Sequence, residues 1–171
     1  MEKCINVIAG RPGAGKTLWA CREAARAAED VNNTVIYIGH QEEFDRVLRL
    51  SSHHENIFFA KPVGATNAIQ MATERALATK NSGEDVEAQN NRKIVYLFYD
   101  QCRYDMFPGR REALEAAANA GVIVYVMCQV YAQIDKNDLN WLMQKCNCFV
   151  VSKGRAPRPA TEEEIKEKYC G

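Results

Sequence analysis

The chain has no surplus of charge of either sign: Lys and Arg total 22, Asp and Glu total 22, and the formal net charge is zero. The basic imbalance that usually accompanies nucleic-acid binding is therefore missing from the composition, although a local basic patch would vanish in such a sum. Long apolar runs are missing too. The longest, residues 121–128, is far too short to cross a bilayer as a helix. Residues 1–10 hold a short apolar run broken at Gly10, without the basic start and long apolar stretch of a secretory signal. These absences predict a soluble, cytoplasmic protein with no transmembrane segment.

A disulfide framework is lacking as well. The seven cysteines (Cys4, Cys21, Cys102, Cys128, Cys146, Cys148 and Cys170) are odd in number and irregular in spacing, which reads as reduced thiols. Cys146 and Cys148 form a C-x-C with no second pair and no nearby histidine. Small buried side chains at the edge of a strand are the simpler reading than a zinc site. His53 and His54 also lack a metal partner and read as surface residues after a helix. No internal repeat is visible.

What is present is the balance of an ordinary globular domain, with 47% apolar and 26% charged residues. A length of 171 residues suits one domain with a sizeable core. We expect a core at 4–152 and a basic, Pro-containing segment with a short helix at 153–171. Apolar runs alternate with helical patterns. Strands are expected at 4–9, 34–39, 56–60, 93–100 and 122–128, with 148–152 as the last. Helices are expected at 16–30, 41–50, 65–80, 110–120 and 138–145. Leu18, Cys21 and Ala25 recur at helical spacing in the first, Phe44, Val47 and Leu48 share one face of the second, and Ile69, Ala72, Ala76 and Leu77 are the expected core face of the third. Residues 81–92 are polar and acidic and read as an exposed loop. Gly121 suits a helix C-cap, and Thr161 with Glu164 resembles a capping box opening a terminal helix. Strands apolar across their whole width, alternating with helices, imply an α/β fold with a mostly parallel sheet covered on both faces.

The most informative stretch is Gly10-Arg11-Pro12-Gly13-Ala14-Gly15-Lys16-Thr17, which fits G-x-x-x-x-G-K-[ST] completely, with a strand before it and a helix after it. Such a P-loop holds the triphosphate of ATP or a close relative. Glycines at 10, 13 and 15 are expected to take positive φ, so that successive N–H groups point inward. The helix opening at Lys16 adds its positive end. Lys16 should reach the β and γ phosphates, and the Thr17 hydroxyl should ligate Mg²⁺.

A P-loop enzyme needs a second carboxylate at the end of a buried strand to hold the metal's water shell. Asp100, closing Ile94-Val95-Tyr96-Leu97-Phe98-Tyr99-Asp100, is the candidate. The strand-helix unit between the two motifs suggests the three-layer P-loop division, a RecA-like core with an additional strand. Motors of that division carry a glutamate directly after the aspartate as general base. Gln101 stands there, and an amide takes no proton at neutral pH, so hydrolysis by this route should be slow or absent. Three explanations stay open: a base from elsewhere, with Glu42 and Glu43 as candidates; binding with little turnover; or an engineered trap substitution. Gln129, ending the next apolar strand, is placed to hydrogen-bond the γ-phosphate or its water.

Asp100-Gln101-Cys102-Arg103-Tyr104-Asp105-Met106-Phe107-Pro108 resembles the acidic-strand motif of the HerA–FtsK superfamily. So does the later stretch, with Cys128-Gln129, Ile134-Asp135 and Leu139, then Gln144-Lys145-Cys146-Asn147-Cys148-Phe149-Val150-Val151. The likeness spans residues 4–152, and the part from 129 to 151 is its more specific portion. Two departures stand out. Gln101 replaces the glutamate, and Ala118-Asn119-Ala120-Gly121 replaces the basic run that supplies a trans-acting arginine in that family. Arg110, Arg111 and Arg155 are the remaining candidates for that arginine.

The resemblance implies a ring-shaped, usually hexameric ATPase that moves double-stranded DNA through a central pore, using ATP and Mg²⁺. At this size it is most like the genome-packaging ATPases of membrane-containing icosahedral viruses, which implies a capsid or membrane vertex as a further partner. Residues 40–49 and 81–92 are candidates to line the pore. Other readings are a filamentous-phage assembly ATPase of the zonula-occludens-toxin-like kind, suggested by Phe107-Pro108-x-Arg110, and a nucleotide-binding regulatory protein without turnover, suggested by Gln101. A small-molecule kinase is disfavoured because 81–92 is acidic and not rich in arginine as a kinase lid is.

Overall fold

A computed structural model of the chain describes residues 3–81, 93–102, 110–128 and 136–169. Its strands are β1 (Ile5–Ala9), β2 (Thr34–Ile38), β3 (Ile57–Ala60), β4 (Val95–Cys102), β5 (Ile123–Cys128), β6 (Cys146–Val150) and β7 (Arg158–Pro159). Its helices are α1 (Lys16–Ala28), α2 (Gln41–Leu50), α3 (Ala65–Asn81), α4 (Arg111–Asn119), α5 (Lys136–Lys145) and α6 (Glu162–Tyr169), with a short 3₁₀ turn at Pro62–Gly64.

The sheet runs β3-β2-β4-β5-β1-β6-β7. Every pairing is parallel except the last, in which β7 lies antiparallel to β6. The expected additional strand is there: β5 separates β1 from β4, so the P-loop strand and the Asp100 strand are not neighbours. Parallel strands put their C-terminal ends on one edge, where ligands of open α/β sheets bind. Here that edge collects Gly10, Gly39, Asp100 and Cys128.

Strand parity sends alternate side chains to opposite faces. Tyr37, Phe98 and Ile8 join a core under α1 and α2, with Ala20, Cys21, Ala24 and Val47. Ile36, Ile38, Leu97 and Tyr99 join a second core under the remaining helices, with Ile69, Ala72, Leu114, Leu142 and Ile165. The α1 and α3 faces are rich in alanine, which lets these helices lie close to the sheet.

Two expectations need correction. Leu77 is 45% exposed, because the buried stripe of α3 runs through Ala65, Ala68, Ile69, Ala72 and Ala76. Leu77 falls just off that stripe. The strand expected at 148–152 spans Cys146–Val150 and is not the last, since the basic segment adds β7. Pro159, lacking an N–H, is tolerated there because β7 is an edge strand. The capping box forms as expected, with Thr161 N–H donating to Glu164 Oε2 at 3.1 Å and Glu164 N–H to Thr161 Oγ1 at 3.2 Å. No group of three or more potential metal-ligating side chains occurs among the described residues, Cys146 and Cys148 included. No helix formed by described residues is long and apolar enough to cross a membrane.

Candidate functional site

The turn after β1 is built by three glycines for two different reasons. Gly13 has φ of 77° and Gly15 φ of 97°, a left-handed backbone that other residues rarely adopt. Gly10 does not share that conformation, contrary to the sequence expectation. Its requirement is steric: a Cβ there would lie 2.9 Å from the Val151 carbonyl oxygen on the neighbouring chain segment. Ala14 N–H closes the turn on the Arg11 carbonyl at 3.1 Å. Gly15 is the N-cap of α1 and supplies no side-chain cap. The first N–H groups of α1 thus keep the unmet donors of a helix start, beside its positive end.

Lys16 is only 7% exposed. Its ammonium donates to two carbonyls of its own loop, Gly10 at 2.6 Å and Arg11 at 3.1 Å. Burial pushes its pKa below the usual 10.5, opposed by Cys128 and Asp100. A lysine stripped of water, with its ammonium bonded to two neutral carbonyls, gains from an incoming anion.

Asp100 is 2% exposed. Its Oδ1 accepts from Thr17 Oγ1 at 3.3 Å and its Oδ2 from the Tyr37 hydroxyl at 2.8 Å. The pairing of β4 with β5 slips by one residue between Tyr99 and Cys102, so a bulge spans Asp100 and Gln101. Bulges of this kind re-aim side chains beside active sites. Tyr37 is fully buried, with the Cys21 sulfur 3.6 Å from its hydroxyl. Burial first, and the Asp100 charge second, raise the Tyr37 pKa far above its usual value, so the hydroxyl keeps its proton.

These parts enclose a cavity of about 240 Å³ lined by Pro12, Gly13, Gly15, Lys16, Thr17, Arg46, Asp100 and Met127. The donor set fits the expected ligand. Thr17 and Asp100 offer adjacent hard oxygens suited to Mg²⁺, and Lys16 with the start of α1 offers cationic and N–H donors to phosphate.

Other residues singled out in the sequence lie elsewhere. Gln101 belongs to β4 by its backbone, but its side chain lies outside what is described. Gln129, Phe107, Pro108 and residues 82–92 are outside the described residues altogether. Arg110 sits on the far face of the sheet, its guanidinium 5.4 Å from the ring centre of Tyr99. Burial pulls its pKa down. Arg111 opens α4 and Arg155 is exposed in the turn after β6. None of these arginines lines the cavity, nor do Glu42 and Glu43 in the first turn of α2. Two residues that the sequence reading passed over do belong to the site. Tyr37 could have been found from parity, being the last β2 residue on the α1 face. Arg46 carries no local signal.

No family model matches the chain, and no curated protein matches it. Among solved structures, the cytoplasmic domain of the Thermomonospora curvata Type VII secretion ATPase EccC aligns over 89% of this chain at 14% identity with a TM-score of 0.51. This chain spans 20% of the EccC chain. The genome packaging NTPase B204 from Sulfolobus turreted icosahedral virus 2, in complex with AMP, aligns over 85% of this chain and 83% of its own at 14% identity, with a TM-score of 0.46. Its complex with ATP-gammaS aligns at 12% identity with a TM-score of 0.44. The chain thus has the α/β fold of a P-loop ATPase domain.

Proposed function

We propose that this chain binds ATP with Mg²⁺ at residues 10–17 and acts as the ATPase of a DNA-translocating ring, most like one that packages a viral genome. The observation that carries the nucleotide reading is the meeting of Lys16, Thr17 and Asp100 at one cavity, from two strands that β5 keeps apart. The fold shared with the EccC domain supports it. The translocation reading rests on the HerA–FtsK resemblance of residues 129–151.

When bound, MgATP supplies the phosphoanhydride bond that water cleaves. Lys16 trades its two loop carbonyls for phosphate oxygens. Thr17 and Asp100 hold the metal, and the N–H groups from Gly13 to Thr17 wrap the phosphates. Gln129 reports the γ-phosphate to the following segment. An arginine from a neighbouring copy, taken from Arg110, Arg111 or Arg155, offsets charge in the transition state. With Gln101 in place of a carboxylate, turnover is slow, and Gln101→Glu raises it. The partners are duplex DNA, further copies of the chain in a hexameric ring, and a capsid or membrane vertex.

Titration calorimetry tests the nucleotide step. Lys16→Ala should weaken ATP about ten- to a hundredfold, the worth of one or two charge-assisted hydrogen bonds. Equal affinity in the variant would overturn the site. Sizing with and without ATP and duplex DNA tests the motor. A chain that stays monomeric with ATP and ignores DNA is no translocating ring.

A further inference from the structure

Arg46 lies on the solvent side of α2, yet it lines the phosphate cavity with Lys16, Thr17 and Asp100. No hydrogen bond or ion pair joins it to another described residue. Its own helix carries Glu42, Glu43, Asp45 and Arg49, and across the cavity stand Lys16 and Asp100.

The side from which Arg46 arrives follows from the sheet order. α2 follows β2, and β2 pairs with β4, not with β1. Arg46 therefore approaches from the Asp100 side of the loop. The contact of the Cys21 sulfur with the Glu43 carbonyl, at 3.5 Å, ties the first turn of α2 to α1 on that side. It is also the side where Thr17 and Asp100 would hold the metal, and so where the end of the phosphate chain lies.

Charge favours a cation there. Asp100 cancels Lys16, so the loop alone leaves a magnesium-bound triphosphate with surplus negative charge. A guanidinium can meet two phosphate oxygens at once with its planar fork.

We propose that Arg46 is an intramolecular phosphate-binding residue that contacts the terminal phosphate and makes the site prefer the triphosphate over the diphosphate. This rests on the nucleotide reading above. A single copy then carries an arginine of its own, separate from any that a neighbour supplies.

The test is calorimetry on the full chain with Mg²⁺, using ATP and ADP, for the parent, Arg46→Ala, Arg46→Lys and Arg46→Gln. ATP affinity should fall about tenfold or more in Arg46→Ala, while ADP affinity changes by less than about twofold. Arg46→Lys should recover part of the loss, and Arg46→Gln, which keeps the stem without the charge, should recover little. Unchanged thermal melts would show intact folding, as expected for a solvent-facing position. Should Arg46→Ala fold poorly, the comparison of Arg46→Gln with Arg46→Lys carries the same discrimination. Equal losses for ATP and ADP, or no loss for either, overturn the proposal. A parent that binds neither nucleotide removes the nucleotide reading and this one with it. A parent that binds both, beside a silent Arg46→Ala, removes only the role of Arg46.

Discussion

Asp100 has two carboxylate oxygens, and each meets a hydroxyl from a different element. Thr17 on α1 addresses one and Tyr37 on β2 the other. Tyr37 is no metal ligand itself, because its hydroxyl is buried and keeps its proton. Its effect is to hold the carboxylate's rotation, leaving Oδ1 toward Thr17. Tyr37→Phe should lower stability by about 1–2 kcal/mol. It should also raise the Mg²⁺ needed for half-maximal ATP binding by about tenfold, as losses around metal ligands do. A magnesium titration of ATP binding separates the two effects. If melting changes while the magnesium curve does not, Tyr37 only fills space and caps a charge.

At the scale of elements, the loop is held where β1 hands over to α1 alongside the end of β6. Val151 N–H donates to the Ala9 carbonyl at 3.0 Å, and the Val151 carbonyl closes over Gly10. Gly10→Ala forces these segments apart. It should cost about 1–3 kcal/mol, the usual range for overpacking, read from a denaturant midpoint. It should also weaken ATP, since the loop moves with the strand end. Gly64→Ala, at a position with nothing within 4 Å, is the control and should change neither. On the α1 face the strands are locked by an aromatic row: Tyr37 pairs in register with Phe98, and Phe98 with Tyr125. The Phe98 and Tyr125 rings stack at 5.0 Å between centroids. That row sets β2, β4 and β5 in fixed register, and with them the height at which Asp100 meets the P-loop.

For the whole molecule, the buried thiols and Tyr37 make stability sensitive to alkali. Burial raises Cys128 from its usual 9.0 to about 12, and raises Cys148 to about 11. Groups raised in this way favour the folded state while protonated. Their contribution is intact below pH 9, the unfolded value, and is lost as pH climbs toward about 12. Melting temperature should therefore hold up to about pH 9 and then fall. Cys128 alone accounts for a slope of up to about 1.4 kcal/mol per pH unit. Cys128→Ser should flatten that limb. An unchanged alkaline slope in the variant would show that other groups govern it.

The candidate phosphate loop was legible because its eight positions are consecutive and its turn needs no distant partner to be recognised. The order of strands and helices was legible from period, and Asp100 from its place at the end of an apolar strand. Period alone misplaced Leu77, since a helix's buried stripe is set by the surface it meets. The reason Gly10 must be glycine, the tie of Tyr37 to Asp100 and the arrival of Arg46 at the cavity beside Lys16 were decided only by the tertiary structure. Each depends on which strand lies beside which, and a parallel sheet joins residues whose separation along the chain carries no trace of their meeting.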